Sequence, residues 1–181
     1  MIRIALPLFL ASALLGGGCA APSSPPGSTD YRLAEDFDGR RPADVGVKAV
    51  EGVAPSRVAS GVREELRERL LSRRFAPVRS AEVDRRPGDY RPGGSQAVLV
   101  VTVTTWDAER LWGDGSVRVT ADARLHEAGT GALLYHAHIK DVTLRAPAPA
   151  RSIEERPGVF DALASLLADR LLERLPVKGD G

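Results

Sequence analysis

The sequence predicts an α+β fold, a single domain in which two helices pack on one face of a mostly antiparallel sheet. Residues 117–126 and 133–140 alternate between apolar and polar side chains on either side of a turn sequence at 128–131, which is typical of an antiparallel hairpin. Segments 56–73 and 158–175 instead repeat Leu, Val or Phe at helical spacing. The chain length of 181 residues suits one such domain.

The first half of the domain predicts a strand, a helix and a second strand. Residues 43–50 alternate well enough to form the strand, and the break at Gly52–Pro55 precedes a helix from Ser56 to Arg73. The apolar stripe of this helix recurs every four residues, at Val58, Val62, Leu66 and Leu70. Phe75–Val78 predicts a short strand, which Pro77 confines to a sheet edge because proline cannot donate a ladder hydrogen bond.

The second half predicts a central strand, the hairpin and the last helix. Ala97–Thr105 is rich in β-branched residues and apolar on both faces, as expected of a central strand. The hairpin directs these residues inward: Val117, Val119, Ala121, Ala123, Leu125, Leu133, Tyr135, Ala137 and Ile139. The last helix runs from Gly158 to Leu175, before Pro176. Leu166 and Leu172 widen its apolar arc, which predicts contact of this part with another subunit.

The first residues of the chain resemble a bacterial lipoprotein signal. Arg3 is followed by an apolar run from Ile4 to Leu15, and three glycines then precede Cys19. A twelve-residue helix reaches only about 18 Å, too short for a bilayer core of about 30 Å. The resemblance implies that Cys19 carries the lipid, although Gly16 stands where such signals prefer leucine. Ala20, in place of aspartate, implies the outer membrane facing the periplasm, with the inner membrane and the cell surface as alternatives.

These features divide the chain into three parts. Residues 1–18 are the signal peptide, 19–41 are the lipidated Cys19 and a flexible tether, and 42–177 are the globular domain. The tether prediction depends on Ala20–Thr29, which is rich in Pro, Ser and Gly and lacks charge. The lipid is then the predicted contact with the membrane.

The charges and the single cysteine exclude several classes of function. The chain has 25 Lys and Arg against 24 Asp and Glu, so removal of Arg3 with the signal peptide leaves 24 of each. A domain without net charge is not expected to bind nucleic acid, which requires clustered excess cations. One cysteine cannot form an intramolecular disulfide or a Cys-cluster metal site. We expect no cofactor.

Three histidines raise the question of a metal site. His136 and His138 share one strand face, and hairpin closure would bring Asp122 opposite them. Two histidines and a carboxylate suit zinc or iron. The same face also holds side chains that repel a cation: Arg118, Arg124 and Lys140. We therefore expect no metal on this open face.

An enzyme is not expected either. The sequence contains no Gly-x-Ser-x-Gly motif, and its only thiol is assigned to lipidation. The acidic residues lie scattered on helix faces, without a pocket that would shift their pKa values. The candidate functional residues are instead those of a partner-binding surface: Trp112, Arg118, Arg124, His136 and His138.

Two tryptophans leave an alternative open. Trp112 lies in a predicted loop tip, where an exposed tryptophan is a typical binding anchor, whereas Trp106 is expected to cover the core. If Trp106, Trp112 and the Tyr90 loop formed a stacking platform, the protein would be a glycan-binding or lipid-binding module.

The order of segments resembles a group of periplasmic lipoproteins. The segments that carry the resemblance are the helix from Val58 to Leu71, the strand at 97–106 and the hairpin from Ala121 to Tyr135, which contains Thr-Gly-Ala-Leu-Leu-Tyr. The sequence is similar here to lipoproteins with the fold of the TolB amino-terminal domain, including outer-membrane lipoproteins of unknown function and the curli secretion lipoprotein. Tyr135 replaces the tryptophan usual in that group.

The resemblance implies a function without catalysis. Such lipoproteins act as scaffolds or as assembly or export factors of the cell envelope, so the implied partners are other envelope proteins and further copies of the chain. Lipopolysaccharide-assembly lipoproteins share the strand, hairpin and helix layout and are the alternative family.

Overall fold

The computed structural model describes residues 27–85, 96–148, 152 and 154–177. The strands are β1 (Ser28–Leu33), β2 (Asp44–Val47), β3 (Glu51–Gly52), β4 (Ala76–Pro77), β5 (Gln96–Asp107), β6 (Ser116–Glu127) and β7 (Leu133–Arg145). The helices are α1 (Ser56–Ser72), α2 (Ser80–Asp84), α3 (Leu111–Asp114) and α4 (Arg156–Leu172). No helix in these ranges is long and apolar enough to span a bilayer.

The strands form one mixed sheet in the order β1-β7-β6-β5-β2-β4, with β3 also beside β5. The pairs β1–β7, β7–β6 and β6–β5 are antiparallel. The pairs β2–β5, β3–β5 and β2–β4 are parallel. The predicted α+β class is confirmed, as are the central place of β5 and the edge place of the strand that contains Pro77.

The two long helices pack side by side on one face of the sheet. Gly61 of α1 lies so close to α4 that an added Cβ would come within 3.0 Å of the Cβ of Ala164. Arg69 extends the contact by pairing with Asp169 of α4 and with Glu65 of its own helix. The predicted apolar stripe of α1 is fully buried, at Val58, Val62, Leu66 and Leu70.

The alternation predicted for the hairpin is confirmed except at its turn. Val119, Ala121 and Ala137 are buried, but Leu133 is 42% exposed and Leu134 is buried instead. The pairing register shifts between Leu125 and His126, and such a shift reverses the faces of the residues beyond it.

The tether predicted for 19–41 is wrong from Ser28 onwards. Ser28–Leu33 forms β1, which pairs along β7 from Lys140 to Tyr135. Tyr31 anchors the strand because its hydroxyl lies 2.9 Å from the carbonyl oxygen of Arg170 on α4. Phe37, also assigned to the tether, is fully buried, so the folded domain begins before residue 42. Residues 1–26, which include the signal peptide and Cys19, lie outside the described ranges.

Three short elements were not predicted, namely β3, α2 and α3. The last helix ends at Leu172 rather than Leu175, although Leu175 is still buried after it. The first strand covers only 44–47 of the predicted 43–50. The predicted loop that contains Tyr90 falls largely on residues 86–95, outside the described ranges.

Candidate functional site

The side of the sheet that faces away from α1 and α4 carries the charged and imidazole side chains. Directly paired residues of adjacent antiparallel strands point to the same side. His138 therefore lies between Asp30 of β1 and Asp122 of β6, and His136 lies between Arg32 and Arg124. We call this set the polar sheet face: Asp30, Arg32, Asp122, Arg124, His136, His138 and Lys140.

Asp122 is the centre of this face. Its Oδ1 lies 2.8 Å from Nε2 of His136, and its Oδ2 lies 3.2 Å from Nδ1 of His138. Arg124 approaches the same Oδ1 at 3.5 Å. Burial would raise the pKa of Asp122, but the hydrogen bond from His136 and the charge of His138 hold it below the usual range. The carboxylate is thus ionised and shared by three donors.

The hairpin brings Asp122 and both histidines together, as the spacing predicts. Each imidazole directs one nitrogen to a different oxygen of the carboxylate. In the part of the chain that the structure describes, no group of His, Cys, Asp and Glu side chains has an arrangement that could hold a metal ion.

Arg118 lies apart from this cluster. It is six residues before Arg124 on the same strand, a distance of about 20 Å. Its guanidinium donates to Asp107 at 2.7 Å, beside a cavity of about 220 Å³ that Glu109 and Arg110 also line. A backbone hydrogen bond from Glu109 and the contact with Arg118 lower the pKa of Asp107. The predicted partner-binding residues therefore do not form a single cluster.

Trp112 is placed apart from both Arg118 and the Asp122 cluster, on the turn between β5 and β6 and against the start of α4. It lies on α3, between β5 and β6, and is 43% exposed. Its ring meets the edge of Phe160 with centroids 5.9 Å apart, and the Arg156 guanidinium lies 4.4 Å from the ring centroid. Leu111 is buried next to it and anchors the turn. Trp112 is thus presented to solvent but held against the start of α4.

Trp106 is placed differently. It lies on β5, is partly buried and packs against the core, as predicted. Trp112 is therefore the more exposed of the two tryptophans. Tyr90, the third residue of the proposed stacking platform, lies outside the described ranges.

Sequence reasoning missed an open edge on β7. Pairing with β1 stops at Lys140, while β7 continues to Arg145. Among the residues described, 141–145 pair only with β6, so their outer edge has no strand beside it. The sequence did not predict β1. Because β1 covers only part of the β7 edge, the uncovered part could not be predicted without it.

A groove of about 360 Å³ lies against this edge. It is lined by Thr143, Leu144, Arg145, Leu166, Asp169, Arg170 and Glu173. Leu166, one of the two leucines predicted to contact another subunit, is partly buried and lies in this groove. Leu172, the other, is fully buried in the core and is not available for such a contact.

Comparison with known proteins shows the fold. No family model and no curated protein matches the chain. A variant of PelC from Paraburkholderia phytofirmans, described as a dodecamer, is 19% identical with a TM-score of 0.54, and the match covers 84% of this chain and 100% of that one. A second PelC dodecamer from that organism is 13% identical, with a TM-score of 0.46 and coverage of 80% and 96%.

Lipoprotein GNA1162 from Neisseria meningitidis also matches. It is 18% identical with a TM-score of 0.44, over 71% of this chain and 98% of that one. The TolB and curli resemblance finds no support among these comparisons. The chain is therefore similar in fold to a bacterial protein described as a dodecamer, at an identity that shows the fold alone.

Proposed function

We propose that the protein is a lipid-anchored lipoprotein of the bacterial envelope and serves as a non-catalytic scaffold that assembles with copies of itself. The observation that carries the proposal is the edge of β7 at residues 141–145, which has no strand beside it among the described residues and borders the groove that contains Leu166. The anchor in this proposal is Cys19, and the proposed location is the outer membrane, on the periplasmic side.

An open strand edge favours addition of another strand. It presents unpaired backbone donors and acceptors, and proteins usually cover, shorten or charge such an edge. In this protein the groove beside the edge combines Leu144 and Leu166 with Arg145, Asp169 and Arg170. A mixed groove of this kind suits a second folded surface with apolar and charged parts. The dodecameric assembly of PelC, a protein of similar fold, supports a second copy as the occupant.

The linker length supports a domain close to the membrane. Nine residues, 19–27, lie between the proposed lipid and β1. Even fully extended they span no more than about 30 Å. Copies anchored in one membrane would be confined to a shallow layer, which raises their effective concentration for lateral assembly.

A role without catalysis is supported by the surroundings of the imidazoles. His136 and His138 both contact the Asp122 carboxylate, and neither lines the two cavities described above. A general acid or base normally works in a pocket that excludes water and positions substrate.

A second candidate function is binding of a glycan or lipid by Trp112. The exposed ring, held by Phe160 and Arg156, could stack against a sugar or insert between lipid headgroups. Under this alternative, Trp112→Ala would abolish ligand binding and leave the oligomeric mass unchanged.

The proposal is tested by the mass of the full lipidated chain in detergent, measured by light scattering after size separation. We expect a defined oligomer, and we expect Leu166→Glu to dissociate it because a carboxylate would be buried at the contact. Leu71→Glu is the matched control, since Leu71 is 63% exposed on α1, which packs over β2 and β4 rather than β7. A monomeric parent chain, or equal dissociation by both variants, would contradict the proposal.

A further inference from the structure

We propose that Arg32, His136 and Arg124 form a binding site for a phosphate group on the polar sheet face. This inference deepens the proposed function, because it assigns a ligand class to one surface of the scaffold. It concerns the face of the sheet, whereas the self-assembly contact concerns its edge.

The three side chains form one row across three strands. Arg32 of β1 pairs with His136 of β7, and His136 pairs with Arg124 of β6. Adjacent strands are about 4.8 Å apart, so the Cα atoms of the two arginines are about 10 Å apart, with His136 between them. An extended arginine side chain is long enough for both guanidinium groups to converge above His136.

The exposure of the row favours a ligand above its centre. Side chains of His136 and Asp122 are only 20% and 19% exposed, whereas Arg124 is 54% exposed and Arg32 is also exposed. The result is a partly desolvated floor flanked by two more exposed guanidinium groups. Electrostatic interactions are stronger over such a floor than on a fully hydrated surface.

The row has more hydrogen-bond donors than nearby acceptors. Asp122 already accepts from His136 and His138, and its contact with Arg124 is long, at 3.5 Å. A guanidinium has five N–H donors, and a phosphate oxygen pair matches its planar fork. A phosphate above His136 would accept from both arginines, and from Nδ1 of His136 when that nitrogen is protonated.

Like charges directly opposite each other destabilise a sheet. Arg32 and Arg124 flank His136 on both sides, so protonation of His136 places three positive groups in one row. A bound dianion would remove this repulsion.

The charged groups around the row do not reverse its net positive charge. β1 adds Asp30, β7 adds His138 and Lys140, and β6 adds Asp122. β5 places only Val100 and Thr102 opposite Arg124 and Asp122. The face therefore carries three cations and two carboxylates, a net charge of +1 with both histidines neutral. The cations are Arg32, Arg124 and Lys140, and the carboxylates are Asp30 and Asp122. Further along, His126 faces the carbonyl of Gly131, and Asp141 lies near Arg118.

The test is a titration of the full chain with inorganic phosphate at constant ionic strength, followed through the imidazole NMR signals of His136. We expect a saturable shift of these signals, and Arg124→Gln should weaken binding by about tenfold or more, the effect of one lost charge-assisted pair. Arg118→Gln is the control, because Arg118 is an exposed arginine of the same strand, about 20 Å away.

Two results would overturn the site. These are the absence of a saturable shift and an equal loss with Arg118→Gln. Thermal unfolding of both variants checks that each is folded. A parallel titration with dihexanoyl phosphatidic acid identifies the source of the phosphate. Equal affinity indicates free phosphate, and tighter binding of the lipid indicates a headgroup.

The oligomeric mass is measured on the same samples. If phosphate fails to bind while Leu166→Glu still dissociates the oligomer, the phosphate site is wrong and the scaffold proposal stands. If phosphate binds to a chain that is monomeric throughout, the scaffold proposal fails and the site stands.

Discussion

The two faces of β6 and β7 differ in how their side chains are satisfied. On the inner face, Val119, Ala121 and Ile139 are fully buried against the core beneath α4. On the outer face, one carboxylate, Asp122, serves His136, His138 and Arg124. The inner face stabilises the fold by removing apolar surface from water, while the outer face retains donors that a partner could use. Stability and recognition are thus separated by the two-residue period of the strands.

The largest effect is expected on the inner face. Leu167 of α4 is fully buried, so Leu167→Ala should lower the free energy of unfolding by about 2–5 kcal/mol through lost burial and a cavity. Chemical denaturation measures the loss. Leu71→Ala, at an exposed site, should change stability by less than about 0.5 kcal/mol. Similar losses of stability from the two variants would contradict the claim that burial on the inner face stabilises the fold.

An intermediate effect is expected where β1 joins the inner face. The Tyr31 hydroxyl lies within hydrogen-bond distance of the Arg170 carbonyl and, at 3.0 Å, of the Glu173 carboxylate. Tyr31→Phe should therefore cost about 1 kcal/mol and speed amide exchange along β1 more than along β6. Hydrogen exchange measures this difference. Uniform acceleration across the sheet would show that β1 is not held separately by Tyr31.

The same tyrosine predicts a loss of stability at alkaline pH. Burial and the hydrogen bond with Glu173 raise the pKa of Tyr31 from 10.0 to about 12. A raised folded pKa means that the stabilisation is complete below about pH 10 and is lost as pH rises towards 12. The parent chain should lose stability across this window more steeply than Tyr31→Phe.

The smallest effect is expected on the outer face. Asp122 has a lowered pKa, so its stabilisation is present above the ordinary aspartate value of 3.8 and is lost as pH falls below it. Asp122→Asn should cost less than about 1 kcal/mol at neutral pH, because the cluster is partly open to solvent. Denaturation at pH values from neutral to about 3 measures the difference, which should shrink on acidification. A difference that grows on acidification would contradict the assigned pairing.

The sequence was informative where one physical signal dominated. The period-2 pattern of β6 and the stripe of α1 each report a face buried against a core, and both elements formed as predicted. β1 was missed because Ser28–Leu33 is mostly polar and follows a Pro-rich segment. Its inward Tyr31 gains burial only by packing on α4, which is far away in sequence.

The candidate site could be predicted only in part. The spacing of His136 and His138 and the hairpin turn were enough to place Asp122 beside them. The bulges at Val119–Ala121 and Leu125–His126 depend on strand pairing rather than local pattern, so the exposure of Leu133 could not be anticipated. Arg32 and the open β7 edge were missed with β1, since both depend on where that strand lies.

The central claim, self-assembly at the open β7 edge, is tested most directly by photo-crosslinking in cells. A photoreactive phenylalanine analogue replaces Thr143, which is exposed on β7 and lines the groove. We expect an adduct of two copies of the chain from position 143 and none from position 71 on α1. Adducts only with other proteins, or equal self-adducts from both positions, would contradict the account.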